Sequence, residues 1–240
     1  MTVLLYHMDS YLQSFSAQVT GLDEANHAII LDQTAFYAGG GGQPNDTGSI
    51  MADGIAIDVI RVRKIGEDVQ HYLNPEMLLP KVGTKVTGNL HWARRYMLMR
   101  THTALHVLCG VVFRDYSASV TGGDMDPLQG RMDFEFETMQ KELVQTIQDA
   151  INIEIIKNRE VRTAILPRDE AFLIPDLIRT KINLLPDGIQ KIRVVEIVGL
   201  DLQADGGTHV RATGEVGPIR IVNYKSKGKI NKRIYIELNE

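Results

Sequence analysis

The chain has 240 residues, of which 44% are hydrophobic and 23% charged, with 8 prolines. That describes a globular protein of one or two domains, long enough to bury a core without staples. A net charge of −4 excludes wholesale wrapping of nucleic acid, DNA included, and a single cysteine excludes an internal disulfide and points to a reducing, cytoplasmic compartment.

The first residues, MTVLLYHMDS, lack a charged segment followed by a long apolar run, so no signal peptide is expected. No stretch approaches eighteen consecutive apolar residues, so no membrane span is expected. Up to about residue 90, short apolar runs such as Ala28-Ile29-Ile30-Leu31 and Ile55-Ala56-Ile57-Asp58-Val59-Ile60 are broken by Gly, Asp and Asn. This predicts a small β-barrel-like domain over residues 1–90. A helix follows from Trp92 to Phe113, with Asn89 as a cap near its start. Residues 130–136 read as a strand. From Glu137 to Arg159, Met139, Leu143, Ile147, Ile151 and Ile155 recur every four residues and predict an amphipathic helix. Residues 192–197, 218–224 and 230–238 read as further strands. The expected class is α+β, with an N-terminal barrel-like domain and a second α+β domain (91–240) of antiparallel sheet and packed helices.

The chemistry concentrates in two half-sites. His102 and His106 lie four apart in an apolar stretch. On a helix they share one face, with Cβ atoms roughly 5–6 Å apart, close enough to reach one cation. Such a pair supplies half of a tetrahedral site, and Asp205-Gly206-Gly207-Thr208-His209 supplies a second pair. Asp205 has a plainer reading, as a turn residue before Gly-Gly. Thr103 stands where a zinc protease would carry its glutamate base, which disfavours that reaction. Cys109 lies on the same face but about 10 Å along the axis from His102, and is expected to be a small buried hydrophobe.

Residues 34–43, TAFYAGGGGQ, hold four consecutive glycines, and no Gly-Lys-Ser/Thr follows as in a phosphate-binding loop. The run is either a loop lying over a small ligand, with Thr34 and Gln43 as polar readers, or a flexible hairpin. From Val216 to Ile236 there is no acid, yet Arg220, Lys225, Lys227, Lys229, Lys232 and Arg233 are present. Such a patch holds phosphates, or it is solvated hairpin charge; Arg94, Arg95 and Arg100 are placed to extend it.

HTALH, then GGTHVRATGEVG, preceded by FYAGGGGQPNDTG, resembles the editing domain of alanyl-tRNA synthetase, and specifically the free-standing AlaX-type trans-editing proteins. The likeness spans the glycine loop, the histidine helix, the GRMDF strand at 130–134 and the 205–217 loop. It implies hydrolysis of Ser-tRNA(Ala), and sometimes Gly-tRNA(Ala), while Ala-tRNA(Ala) is spared. It also implies a zinc ion on His102, His106 and His209, with Asp205 standing where the family usually has a cysteine. Thr34 and Gln43 match the loop thought to screen the amino-acid side chain, and Thr103 is a further candidate partner for the seryl hydroxyl. The basic residues Lys225, Lys227, Lys229, Lys232 and Arg233 are the expected tRNA contacts. Two other functions compete: a metal hydrolase for small esters, which has no need of the basic segment, and a non-catalytic RNA-binding module with a structural metal.

Overall fold

The computed structural model describes residues 1–180, 185 and 188–240. Two compact units emerge, Met1–Tyr96 and Met97–Glu240.

In the first unit, strands β1 (Val3–Leu4) and β4 (Gln33–Thr34) form a small parallel pair. Strands β2 (Ser14–Asp23), β3 (Ala28–Leu31), β5 (Gly48–Ala52), β6 (Ile55–Ile65), β7 (Asp68–Leu73) and β8 (Lys85–Leu90) close a barrel in the order β2-β3-β7-β6-β5-β8. Closure leaves no unpaired sheet edge. The alternation along β2 sends Phe15, Ala17 and Val19 inward, where they meet Ile29, Leu31, Phe36, Ile50 and Val59. Gly88 makes room for the Phe15 ring, because a Cβ there would collide with it.

The glycine run is a tight turn. Gly39, Gly40, Gly41 and Gly42 all have positive φ, and Gly40 and Gln43 exchange backbone hydrogen bonds of 3.0 and 2.9 Å. Only glycine adopts that sequence of backbone angles without strain. A buried ion pair fixes the base of the loop. Asp46 accepts from the Tyr37 N–H at 2.7 Å and from Arg95 Nε at 2.8 and 3.0 Å, while Arg95 Nη2 donates to the Ala35 carbonyl at 2.6 Å.

Helix α1 spans Trp92–Tyr116. Its first turn belongs to the barrel unit, with Trp92 and Tyr96 packed around Tyr11 at ring distances of 5.7 and 6.4 Å. The division therefore falls a few residues beyond the expected 90. Asn89 is not a cap: it lies in β8, paired with Ser14 and Ser49, because the strand alternation through Val86, Gly88 and Leu90 continues over it.

The second unit carries β9 (Val120–Asp126), β10 (Gln129–Glu135), β14 (Ile219–Gly228) and β15 (Asn231–Leu238) in an antiparallel sheet ordered β14-β15-β10-β9. A second antiparallel sheet orders β11 (Val161–Pro167), β12 (Lys191–Ile197) and β13 (Asp201–Ala204) as β11-β12-β13, and a short helix α3 (Arg168–Ala171) follows β11. Residues 101–112 of α1 are buried without a break, so this stretch of the helix is a core element with no solvent stripe.

Helix α2 spans Lys141–Ile156, shorter than expected at both ends. Met139 precedes it, and Asn158 closes it with φ 49°, a left-handed stop that asparagine tolerates. Ile147, Ile151 and Ile155 are buried as the spacing requires. On the same helix, Asn152 bonds both ways with Ile219 (2.8 and 2.9 Å) and Gln148 Oε1 accepts from the Ile221 N–H at 2.7 Å, which satisfies part of the edge of β14.

Glu154 is buried on α2 and receives Arg114 Nη1 at 2.7 Å, Lys157 Nζ at 2.9 Å and Arg159 Nε at 2.6 Å. Burial raises its pKa, but these three cations outweigh burial and hold it down to about 2. A depressed carboxylate adds stability above its unfolded pKa of about 4.3, lost as pH falls from there through the folded value. Glu154→Gln is expected to cost about 2–3 kcal/mol at neutral pH, discounted because Arg114 and Lys157 are partly solvated. Urea unfolding of both proteins at falling pH checks it: the gap must close toward pH 2, and a gap constant with pH refutes the ion-pair account.

Candidate metal centre

α1 and the loop that follows β13 meet at four side chains. His102 and His106 project from successive turns of α1, and Asp205 and His209 come from the ends of the Asp-Gly-Gly-Thr-His loop. One potential ligand atom from each lies within 4.8 Å of all the others. The His102 and His209 rings stack at 4.2 Å, and His106 stands edge-on to both at 5.1 and 4.7 Å. Asp205 Oδ2 is 2.9 Å from His209 Nε2, and Oδ1 is 3.6 Å from His102 Nε2.

Asp205 is placed for both readings that its sequence allows. Its Oδ2 accepts from the Gly207 N–H at 2.8 Å, which shapes the loop, and the same carboxylate faces the histidines. Arg193 on β12 anchors the residue through its carbonyl (Nη1 to O, 3.0 Å) and lies 3.8 Å from the carboxylate.

Burial pushes His102 well below its usual pKa and His209 down to about 4, which favours neutral rings that can offer a lone pair. His106 differs: burial lowers it too, but the hydrogen bond and charge of Asp201 raise it above its usual value, so a cation has to displace a proton there. Burial opposes ionisation of Asp205, but the charge His102 would carry when protonated and the His209 hydrogen bond hold its carboxyl well below the usual range, so the carboxylate and the rings share whatever proton is present. Three imidazoles and one carboxylate are an acceptable donor set for a four-coordinate divalent ion. Bonds of about 2.0–2.2 Å in a tetrahedron place donors roughly 3.4 Å apart, between the 2.9 Å of the His209–Asp205 contact and the 4.8 Å limit of the group, so side-chain shifts of about an ångström would bring the four to one ion. The group can hold a metal ion.

Sequence reasoning found these four but not what supports them. Thr103 Oγ1 lies 3.1 Å from His209 Nδ1 and accepts from the Val210 N–H at 3.2 Å. Asp201 Oδ2 lies 3.1 Å from His106 Nδ1. Asp201 carries no spacing signal toward His106, and only the path of β13 brings them together. Cys109 is buried, with Gln203 Nε2 at 3.3 Å from its sulfur, and is not in the metal group.

The remaining expected site residues lie elsewhere. Thr34 and Gln43 belong to the barrel unit and are buried there. Thr34 Oγ1 sits 2.8 Å from His71 Nε2 and accepts from the Phe36 N–H at 3.1 Å. In the β14–β15 hairpin, Lys225, Lys227 and Lys229 are exposed, with Lys225 Nζ 5.3 Å from the Tyr235 ring centre. Lys232 is buried and donates to the carbonyls of Gly228 and Lys229 at 2.9 and 3.0 Å. Arg233 forms a two-pronged pair with Asp133 at 2.6 and 2.8 Å. Nor do the three arginines expected to extend the basic patch stand free. Arg95 is buried on Asp46, Arg94 donates to the Asn45 carbonyl at 2.7 Å, and Arg100 donates to the carbonyls of Val216 and Asn239 at 3.1 and 2.6 Å.

A closed antiparallel barrel is followed by an α+β unit that brings three buried histidines and a partly buried aspartate together. Residues 7–94 match the family of tRNA synthetases class II (A), and residues 192–235 match the threonyl and alanyl tRNA synthetase second additional domain. The alanyl-tRNA editing protein AlaX-M of Saccharolobus solfataricus is 41% identical over 98% of this chain and 98% of its own length. That of Methanosarcina mazei is 37% identical over 99% of this chain and 97% of its own. The alanine–tRNA ligase of Pyrococcus furiosus is 37% identical over 92% of this chain, within 24% of the ligase. The chain belongs to the alanyl-tRNA editing protein family.

Proposed function

We propose that this protein is a trans-editing enzyme that hydrolyses the ester of Ser-tRNA(Ala), and to a lesser extent Gly-tRNA(Ala), with a zinc ion on His102, His106, His209 and Asp205. As a member of the alanyl-tRNA editing family it is an aminoacyl-tRNA deacylase. The observation that carries the finer reading is the buried His102–His106–Asp205–His209 group, in a chain matched end to end by editing proteins. Among the described residues no helix is long and apolar enough to cross a membrane. A cytoplasmic location, alongside charged tRNA, fits a chain whose single cysteine stays a buried thiol.

Hydrolysis adds water to the ester carbonyl carbon and breaks its bond to the ribose oxygen, which leaves as the hydroxyl. Bound zinc supplies a polarising charge and lowers the pKa of water to about 7. The chain's own task is to hold that charge: His102, His106, His209 and Asp205 would supply the donor atoms, and Thr103 steadies the His209 ring. Selectivity needs a hydrogen-bonding partner for the seryl hydroxyl, because alanine then leaves that partner unpaired. We assign this to Gln43. Thr103 holds its hydroxyl on His209, which suits it to supporting the metal group, while Thr34 holds its own on His71 inside the barrel unit.

Gln43→Ala is expected to slow Ser-tRNA(Ala) deacylation by about 1–3 kcal/mol, the scale of a lost buried partner. The glycyl ester, with no hydroxyl to read, should lose less. Initial rates on both substrates check this, and equal losses would make Gln43 a loop support only.

The exposed lysines of the hairpin are assigned to tRNA phosphates, with Lys232 and Arg233 holding the hairpin that presents them. Lys225, Lys227 and Lys229 changed together to Ala should weaken tRNA binding and flatten its salt dependence by about one unit of log–log slope per lost contact. An unchanged slope would remove the patch from the interface.

One second reading has a specific observation behind it. Four protein donors formally fill a tetrahedral zinc site, as in structural centres, which favours a non-catalytic RNA-binding module. Absence of deacylation with intact tRNA binding would select it. A hydrolase for small esters is disfavoured by the exposed basic hairpin.

A further inference from the structure

We propose that Asp201 is the positioning residue of the metal centre, holding His106 through Nδ1 so that Nε2 is the atom offered to the ion. This rests on the metal reading above and extends it to a residue outside the four ligands.

Three observations carry it. Asp201 Oδ2 lies 3.1 Å from His106 Nδ1, with the aspartate side chain wholly buried. A carboxylate accepts only, so this contact keeps a proton on Nδ1 of His106, and a cation can be met by that ring only through Nε2. Asp201 is itself fixed: Gln203 Nε2 donates to Oδ2 at 2.6 Å, and Arg179 Nε lies 3.4 Å from Oδ1, with its guanidinium over the Phe113 ring at 3.8 Å. The buried anion thus has a cation and two neutral donors around it, which makes its charge tolerable.

Gly110 supplies the room. It stands one helical turn beyond His106, and a Cβ there would lie 3.0 Å from Asp201 Cβ and 2.9 Å from Leu200 Cγ. A side chain at that position would push the start of β13 away from α1, and Asp201 away from His106. Its absence lets the backbone of β13 approach the helix.

The arrangement differs between ligands. His209 Nδ1 faces the neutral Thr103 hydroxyl, whereas His106 Nδ1 faces a full negative charge. A carboxylate on the remote nitrogen fixes the ring and makes Nε2 a stronger donor, and loss of such a partner costs about 10- to 100-fold in metal affinity.

Two measurements test this. The first is zinc affinity, by chelator competition, of the native protein, Asp201→Asn and Asp201→Ala, with unfolding of the metal-free proteins followed in parallel. Both variants are expected to bind zinc about 10- to 100-fold more weakly. Native affinity in both variants overturns the proposal and leaves the metal site standing. No zinc binding by the native protein removes both. The second needs no variant: nitrogen-15 NMR of the histidine rings in the zinc-loaded native protein. The expected result is a protonated Nδ1 on His106, hydrogen-bonded and protected from exchange. A proton on Nε2 of that ring overturns the proposal even where the Asp201 variants fail to fold.

Discussion

Replacing His102 and His106 together with alanine is expected to take the protein from one bound divalent ion per chain to none, and deacylation to the uncatalysed rate. The two rings are half of the donor set, on one face of a helix whose inner turns are buried throughout. What remains is His209 and Asp205, which already bond to each other at 2.9 Å. Two donors of that kind do not compete with water for a divalent ion as four do. Elemental analysis of native and doubly substituted protein, purified without added metal, measures the first effect. Equal metal content would remove the site.

Asp46→Ala is expected to cost the barrel unit about 3–5 kcal/mol, because it strands the Arg95 guanidinium inside with no counter-charge. Arg95 is 1% exposed and Asp46 2%, so water cannot substitute for the lost partner. The carboxylate also accepts from the Tyr37 N–H at 2.7 Å, so its removal frees the base of the glycine turn as well. Urea unfolding gives the value, and a loss below about 1 kcal/mol, the scale of an exposed pair, contradicts the assignment. Adding Arg95→Met should recover part of the loss, since removing both charges is less costly than stranding one.

Local patterns in the chain carry much of this. The spacing of His102 and His106 and of Asp205 and His209 is enough to name the four residues that come together, because an i, i+4 helical pair and a short loop with glycines between its two polar ends constrain geometry over a few residues. The α2 stripe is legible for the same reason, although its ends are not: Asn158 stops the helix by a backbone conformation that periodicity does not encode. The short strands announce a barrel, but its order β2-β3-β7-β6-β5-β8 depends on pairings far apart in sequence.

Charged residues are the hardest to read, since a lysine or arginine shows its charge and not its partner. Arg95, Lys232 and Arg233 look like RNA contacts in the sequence and are held by Asp46, by hairpin carbonyls and by Asp133. Asn89 looks like a cap because it precedes a helix, yet strand pairing with Ser14 and Ser49 claims it. Asp201 was invisible: its partner is 95 residues away.

Metal-dependent editing of mischarged tRNA(Ala) is tested by a deacylation assay on tRNA(Ala) carrying serine, glycine or alanine, with zinc-loaded and chelator-stripped protein side by side. The expected result is rapid release of serine, slower release of glycine, no release of alanine above background, and loss of all activity on stripping that zinc restores. No release of any amino acid by the zinc-loaded protein, or the same rates after stripping, would contradict it.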